Sequence, residues 1–112
     1  MDKPFVTMHG RFRASKRIGI PRKSVDRNAE AALACGLTHD ECNGALRRYL
    51  AALYNRYGGA AGNIRVYGNF VYVFNGVILI TVLNLPTEYR KAAVAQMKKK
   101  EHKNERPNDS GL

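Results

Sequence analysis

The stretch Asn63–Pro86, NIRVYGNFVYVFNGVILITVLNLP, decides the fold class of this chain. The pairs Gly68-Asn69 and Asn75-Gly76 divide it into three short runs of β-branched and aromatic residues, which fit a pleated, half-buried surface. Asn-Gly is a strong hairpin signal, because a type I′ turn needs φ > 0 at both central positions. The stretch predicts an antiparallel meander of three strands, over 64–67, 70–74 and 77–83.

The third of these strands is apolar on both faces, apart from Thr81. A strand of this kind is normally central in its sheet or covered on both sides. We therefore expect helices on one face of the sheet, and either a further N-terminal strand or a dimer partner elsewhere. Phe5, Val6 and Met8 are the residues that favour a short N-terminal strand.

Two helices are predicted ahead of the sheet. The first, over 21–35, has one apolar stripe at helical spacing, formed by Val25, Ala29, Ala32 and Leu33. Gly36 is suited to end this helix with φ > 0. Thr38 and Glu41 then match a capping box, in which each side chain bonds the backbone N–H of the other residue. The second helix is predicted to start there and to run to about Tyr57.

After the sheet, Thr87 caps a last predicted helix over 88–99. From Lys100 onwards the chain has almost no apolar residue to offset its ordering entropy. The predicted fold class is α+β: N-terminal helices packed on a three- to four-stranded antiparallel β-meander, followed by a C-terminal helix. The predicted organisation is a basic N-terminal arm over 1–20, a single α+β domain over 21–99 and a disordered tail over 100–112.

The positive charge of the chain is concentrated at its ends. The formal net charge is +10. Residues 1–27 contribute +6 through eight basic and two acidic side chains, and residues 87–112 contribute +3 through seven and four. Cationic surfaces bind nucleic acid because neutralised phosphates release condensed counterions. The distribution favours nucleic acid, or a protein that acts on nucleic acid, as the partner.

The cysteines and the apolar pattern argue against several other classes of protein. Cys35 and Cys42 have six residues between them, which fits neither a CxxC redox pair nor a zinc knuckle, so we expect two reduced core thiols. The N-terminus lacks the apolar core of a signal peptide, and the run Val77–Leu83 is far too short to span a bilayer. We predict a cytoplasmic protein without metal, cofactor or membrane partner.

The order of these features resembles a known family. A basic segment with His9 and Arg13, two helices, and a meander whose last strand contains Ile80-Thr81-Val82 together resemble the small domains related to RelE-type toxin ribonucleases. Those domains are grouped with barnase-like and colicin-like nucleases. The pieces Asn63–Gly68 and Phe74–Gly76 also look like small proteins of phages and prophages. The resemblance to the toxins implies RNA cleavage without a metal ion.

Three residues are candidates for catalysis: His9, Arg13 and Thr81. Metal-free RNA cleavage needs a group that deprotonates the 2′-OH, a cation near the phosphorane and a donor for the leaving oxygen. Histidine serves as an acid or a base near neutral pH, so His9 is the candidate for that role. Arg13 supplies a cation, and Thr81 is the lone polar residue of its strand. The alternatives are that His9 is merely solvated and that Thr81 faces solvent or bonds its neighbour.

The candidate binding residues combine cations with two tyrosines. Arginine and lysine contact phosphates, and tyrosine rings stack on bases. The set for nucleic acid or a partner protein comprises Arg11, Arg13, Lys16, Arg17, Arg22, Lys23, Arg47, Arg48, Arg65, Tyr67 and Tyr72. Phe70, Tyr72 and Phe74 alternate along one strand and form an aromatic stripe on one face of it. The alternative to base stacking is that this stripe packs in the core.

The sequence leaves three functions open. The first is a phage-type accessory protein that binds nucleic acid, or inhibits a host nucleic-acid-processing nuclease such as a CRISPR effector, without catalysis. The second is a metal-independent toxin-like ribonuclease of the RelE/barnase type. The third is a structural homodimer, since an uncovered sheet edge pairs readily with a second copy. We rank the accessory protein first, because an incomplete catalytic motif does not weigh against it.

Overall fold

The structure, a computed structural model, has the predicted α+β architecture. It describes residues 5, 6, 16, 19, 21–56 and 62–110. The strands are β1 (Phe5–Val6), β2 (Asn63–Tyr67), β3 (Phe70–Asn75) and β4 (Ile78–Asn84). The helices are α1 (Arg22–Cys35), α2 (Gly44–Arg56) and α3 (Thr87–Ser110), with a 3-10 turn, His39–Glu41, between α1 and α2.

The described strands form one sheet in the order β1-β4-β3-β2. β2, β3 and β4 make the predicted antiparallel meander, whereas β1 runs parallel to β4, with Phe5 opposite Ile78 and Val6 opposite Leu79. The predicted N-terminal strand is thus confirmed at Phe5 and Val6, and Met8 lies outside the described residues. Pairing with β1 makes β4 an inner strand at this end, in keeping with its two apolar faces.

Both hairpin loops have glycine at their first position. The first loop is Gly68-Asn69, as predicted, but Asn75 pairs with Ile78, so the second loop is Gly76-Val77. Gly68 and Gly76 have φ of 62° and 61°, and no non-glycine residue in the described ranges has a positive φ. The prediction of a type I′ turn centred on Asn75-Gly76 is therefore wrong. The loop is shifted by one residue and needs φ > 0 only at its first position, as type II′ turns do.

Helices cover both faces of the sheet. The core on the α1 face consists of Val25, Ala29, Ala32, Tyr72, Phe74, Leu79 and Val82. The core under α2 and α3 includes Leu46, Leu50, Leu53, Ile64, Val66, Val71, Val73 and Ala93. We expected helices on one face of the sheet, and the structure places them on both. β3 buries consecutive residues, as β4 does, so both faces of the inner strands need a cover.

A β-bulge places Thr81 in the core under α2 and α3. Val73 pairs with Thr81 but Phe74 pairs with Leu79, so Ile80 is an extra residue in β4. Residues directly opposite each other share a face. Thr81 therefore lies beside Val73 with 4% of its surface exposed, and the alternative that it faces solvent is wrong.

The segment after α1 crosses the sheet edge from one face to the other. The N–H of Leu37 donates to the carbonyl of Val66 in β2 (2.8 Å), and the N–H of Val66 donates to the carbonyl of Leu37 (2.9 Å). Gly36 ends α1 as predicted, but its φ is −68°, so the prediction of a positive φ is wrong. Glycine is required here for space. A Cβ at this position lies 2.5 Å from the carbonyl oxygen of Ala32 and 3.2 Å from that of Val66.

The predicted capping box forms, but it caps a shorter element than predicted. Glu41 Oε1 accepts the N–H of Thr38 at 2.9 Å. The 3-10 turn ends at once, because Cys42 is extended (φ −93°, ψ 159°), and α2 begins only at Gly44. α2 ends at Arg56, close to the predicted end.

α3 is longer than predicted. It begins at Thr87 and continues past the predicted end near Lys99 to Ser110. Lysine, glutamate and arginine favour helix, and they dominate the sequence from Lys98 to Arg106. The division of the chain into arm, domain and tail stays a prediction.

The two cysteines occupy different environments. Cys42 is buried in the core under α2 and α3, and burial, followed by the charge of Glu41, raises the pKa of its thiol to about 11. Cys35 is exposed at the end of α1, where its thiol donates to the carbonyl of Ala31 at 3.1 Å. Both thiols are free, as predicted, but the predicted core position is wrong for Cys35. It is the last residue of α1 and lies beyond the packed stripe that ends at Ala32 and Leu33.

Candidate nucleic-acid interface

The predicted catalytic residues are not brought together within the described part of the chain. His9 and Arg13, with Arg11 and Arg17, lie outside the described residues, so their roles stay predictions. Thr81 is buried in the core under α2 and α3.

Tyr72 is a core residue. It is 1% exposed and packs in the α1-face core with Phe74, as the alternative for the aromatic stripe proposed. Burial, followed by the neighbouring Tyr67, raises the pKa of its hydroxyl to about 12. Its ring meets the ring of Tyr67 edge to face, with centroids 6.5 Å apart and planes at 63°. Tyr72 therefore supports Tyr67 from inside, and its own ring is too deeply buried to stack on a base.

Arg65 is held by the fold. Its Nε donates to Asn63 Oδ1 and its Nη1 donates to the carbonyl of Leu33, both at 2.8 Å. Leu33 belongs to the last turn of α1, where carbonyls lack partners within the helix and a cation is favoured by the helix dipole. Arg65, predicted to clamp phosphate, thus joins β2 to the end of α1.

Lys100 is a second internal cation, which is not among the predicted site residues. Its Nζ donates to the carbonyl of Gly36 (2.9 Å) and to Glu41 Oε1 (2.8 Å), and its side chain is only 17% exposed. In the sequence, Lys100 is the last of three consecutive lysines, Lys98-Lys99-Lys100. Helical spacing distinguishes Lys100 from Lys98 and Lys99. Lys100 follows Ala93 and Met97 on the packed side of α3.

Arg90 completes this group of internal cations. Its Nε donates to the carbonyl of Leu85 at 2.9 Å, at the start of α3. Arg65, Arg90 and Lys100 therefore all donate to backbone carbonyls. Their charges stabilise the domain at the points where helices meet the rest of the chain.

The remaining described cations are exposed, and they lie on opposite sides of the sheet. On α1 these are Lys23 and Arg27, and only the backbone of Arg22 is described. On α2 and α3 they are Arg47, Arg48, Arg56, Lys91, Lys98 and Lys99. Lys16, which precedes α1, is also exposed. The structure therefore does not bring the predicted residue Lys23 together with Arg47 and Arg48.

The six exposed cations of α2 and α3 lie on the two helices that cover the same face of the sheet, and we call the solvent-facing side of these helices the two-helix face. Tyr49 and Tyr89 stack between the two helices with centroids 4.8 Å apart, and Gln96 Oε1 accepts the N–H of Asn43 at 3.0 Å. These contacts place the two helices antiparallel, side by side. Of the six, Arg47 alone lies within 4.0 Å of a carboxylate oxygen of a described residue, that of Asp40.

The ion pair between Glu41 and Lys100 makes stability depend on pH. Burial by itself raises the pKa of Glu41, but the hydrogen bond from Lys100 and those from Thr38 outweigh it, so the pKa is lowered overall. A lowered carboxyl pKa contributes stability above the unfolded-state pKa, about 4.3, and loses it as pH falls through the folded-state value.

We expect the coupling between Glu41 and Lys100 to be about 0.5–1 kcal/mol at neutral pH, since Glu41 is 37% exposed and solvent screens the pair. A double-mutant cycle of Glu41→Gln and Lys100→Met, followed by urea denaturation at pH 7 and pH 3, measures it. The coupling should fade at the lower pH. Lys99→Met, which alters an exposed neighbour, serves as the control. A coupling that is unchanged at pH 3 would contradict the assignment.

Comparisons with protein-family models, curated proteins and solved structures find no match to this chain. The resemblance to RelE-type ribonucleases therefore stays a prediction from the residues. Within the ranges that the structure describes, no helix is long and apolar enough to cross a membrane. Within the same ranges, no group of three or more His, Cys, Asp or Glu side chains is placed to hold a metal ion.

Proposed function

We propose that the protein binds the phosphate backbone of nucleic acid through the two-helix face, without catalysing a reaction on it. The observation that carries the proposal is the set of six exposed cations on α2 and α3, of which Arg47 alone is close to a described carboxylate. The fold places other cations, such as Arg65 and Lys100, against backbone carbonyls. Within the described part of the chain the six exposed side chains make no such hydrogen bond, so their charge is available to a polyanion.

The described residues favour binding over catalysis. Thr81, a predicted catalytic residue, is buried. Arg65, predicted to bind phosphate, instead donates hydrogen bonds to Leu33 and Asn63. Binding to a phosphate backbone needs only a cationic surface of suitable shape. An accessory role in a phage, or the inhibition of a nuclease, is a further step that we propose on the resemblance to small phage and prophage proteins.

Two double variants test which surface carries the binding. Lys98→Gln with Lys99→Gln removes two charges from the two-helix face, and Lys23→Gln with Arg27→Gln removes two from α1 on the opposite side. We expect the first pair to weaken binding of a labelled RNA about tenfold and to reduce the log–log salt slope by about 2, because each phosphate contact contributes about one unit. The second pair should have a much smaller effect. Fluorescence anisotropy between about 50 and 200 mM salt measures both quantities.

Both double variants remove two positive charges, so a difference between them reports the location of the binding surface and not the total charge of the protein. Equal weakening by both would mean that overall charge, and not the two-helix face, attracts the nucleic acid. A larger loss for the α1 variant would assign the interface to the opposite side. Failure of the wild-type protein to bind RNA or DNA would overturn the proposal and point to an acidic protein surface as the partner.

A further inference from the structure

A groove runs along α3 beside the Gly68-Asn69 loop, and we call it the α3 groove. Its larger part, of about 410 Å³, is lined by Cys35, Tyr67, Gly68, Met97, Lys100 and Glu101. A second part of about 250 Å³ shares Gly68, Met97 and Glu101 and extends along α3 to Val94 and Lys98. The groove therefore begins where α1 ends and reaches Lys98 of the two-helix face.

Tyr67 gives this groove a fixed aromatic wall. It is half-buried at the end of β2, and the buried ring of Tyr72 holds it edge to face from inside. Met97 lines the same groove from α3, and its thioether is suited to contact with aromatic rings. Gly68 adds no side chain, and a Cβ there meets nothing within 4 Å, so the space above the loop is open.

We propose that the α3 groove holds an unpaired base of single-stranded nucleic acid, stacked on Tyr67 and Met97. The inference rests on the proposed function and narrows its substrate class from nucleic acid in general to single strands. A base in a duplex is stacked on its neighbours, whereas an unpaired base presents its face to an aromatic side chain, and every base has such a face.

The charges around the groove favour a nucleotide over an apolar peptide. Lys98 lines the groove and is exposed, and Lys99 follows it on the two-helix face. A nucleotide matches both the apolar lining and the neighbouring lysines, because its base occupies the apolar part of the groove and its flanking phosphates reach the lysines. Glu101 also lines the groove, and its carboxylate repels phosphate. The phosphate backbone of the nucleic acid is therefore expected on the Lys98 side of the groove.

Three probes test the proposal: a single strand that carries 2-aminopurine, the duplex of the same sequence, and a strand with an abasic site. We expect the wild-type protein to bind the single strand about tenfold more tightly than the duplex and to quench 2-aminopurine emission. Tyr67→Leu, which keeps apolar volume but removes the ring, should bring single-strand affinity down to the abasic level. Tyr67→Phe, which keeps the ring, should retain the preference. Circular dichroism verifies the fold of each variant.

Chemical protection of Cys35 tests the groove in the unaltered sequence. Cys35 is exposed and lines the groove, whereas Cys42 is 2% exposed, so a bulky maleimide should react at Cys35 first. Saturating single strand should slow this reaction, and the modified protein should bind single strands no better than duplex. An alkylation rate that the single strand does not change would overturn the proposal.

Failure of the groove proposal is distinguishable from failure of the proposed function. Equal binding of single strand, duplex and abasic strand, with the same salt dependence, would reject the groove as a base site and leave the two-helix face intact. Absence of binding to all three probes would reject both.

Discussion

Replacing Gly36 by alanine should lower the free energy of unfolding by about 2–3 kcal/mol, the cost of forcing atoms into a closely packed site. The new Cβ would lie 2.5 Å from the carbonyl oxygen of Ala32 and 3.1 Å from the Cβ of Arg65. The first of these atoms is backbone of α1, so it cannot rotate away. The strain falls where the chain crosses the edge of β2, between α1 on one face of the sheet and the core under α2 and α3 on the other.

Gly62→Ala provides the matched control for Gly36→Ala. Gly62 is exposed, and a Cβ there meets no atom within 4 Å. Alanine at this position should leave stability unchanged or raise it by about 0.4–1 kcal/mol, because it restricts the unfolded chain. Urea denaturation of the two variants measures the difference. Wild-type stability in Gly36→Ala would mean that α1 and β2 are less closely packed than in this structure.

The second large effect is expected for Arg65→Met, which should cost about 2 kcal/mol, within the range for hydrogen bonds that involve a charged group. The substitution keeps the apolar stem but removes the donors to Asn63 and to the carbonyl of Leu33. That carbonyl lies at the negative end of α1 and loses its cationic partner. Thermal and urea unfolding measure the loss.

Arg48→Met separates the structural role of Arg65 from a binding role. Arg48 is exposed on the two-helix face, so its removal should change stability by no more than about 0.5 kcal/mol and should weaken RNA binding. Arg65→Met, assayed at a temperature where it is folded, should leave the RNA affinity close to that of the wild type. The reverse pattern, with Arg65 controlling affinity and Arg48 controlling neither property, would contradict the division between internal and exposed cations.

Local patterns predicted much of the fold. The alternation and turn residues between Asn63 and Asn84 identified the three meander strands, and Phe5 and Val6 indicated the added N-terminal strand. The stripe on α1 and the capping box at Thr38 are also present. These features depend on residues close together in sequence, so local propensity and periodicity are sufficient to find them.

Contacts between distant residues account for what the sequence did not predict. The bulge at Ile80, which turns Thr81 into the core, depends on the register of β3 against β4. The roles of Arg65 and Lys100 depend on carbonyls 32 and 64 residues away in the chain. Charge alone does not distinguish such cations from those that face solvent, and the candidate site was therefore predicted less well than the fold.

A salt titration of wild-type protein with labelled RNA, without metal and followed by a denaturing gel, tests the central claim most directly. We expect intact RNA, bound with an affinity that falls linearly on a log–log plot as salt rises. Cleaved RNA would contradict the claim and establish the ribonuclease alternative, which would direct attention to His9 and Arg13. Binding that salt does not weaken would equally contradict it, since the two-helix face would then not be contacting phosphates.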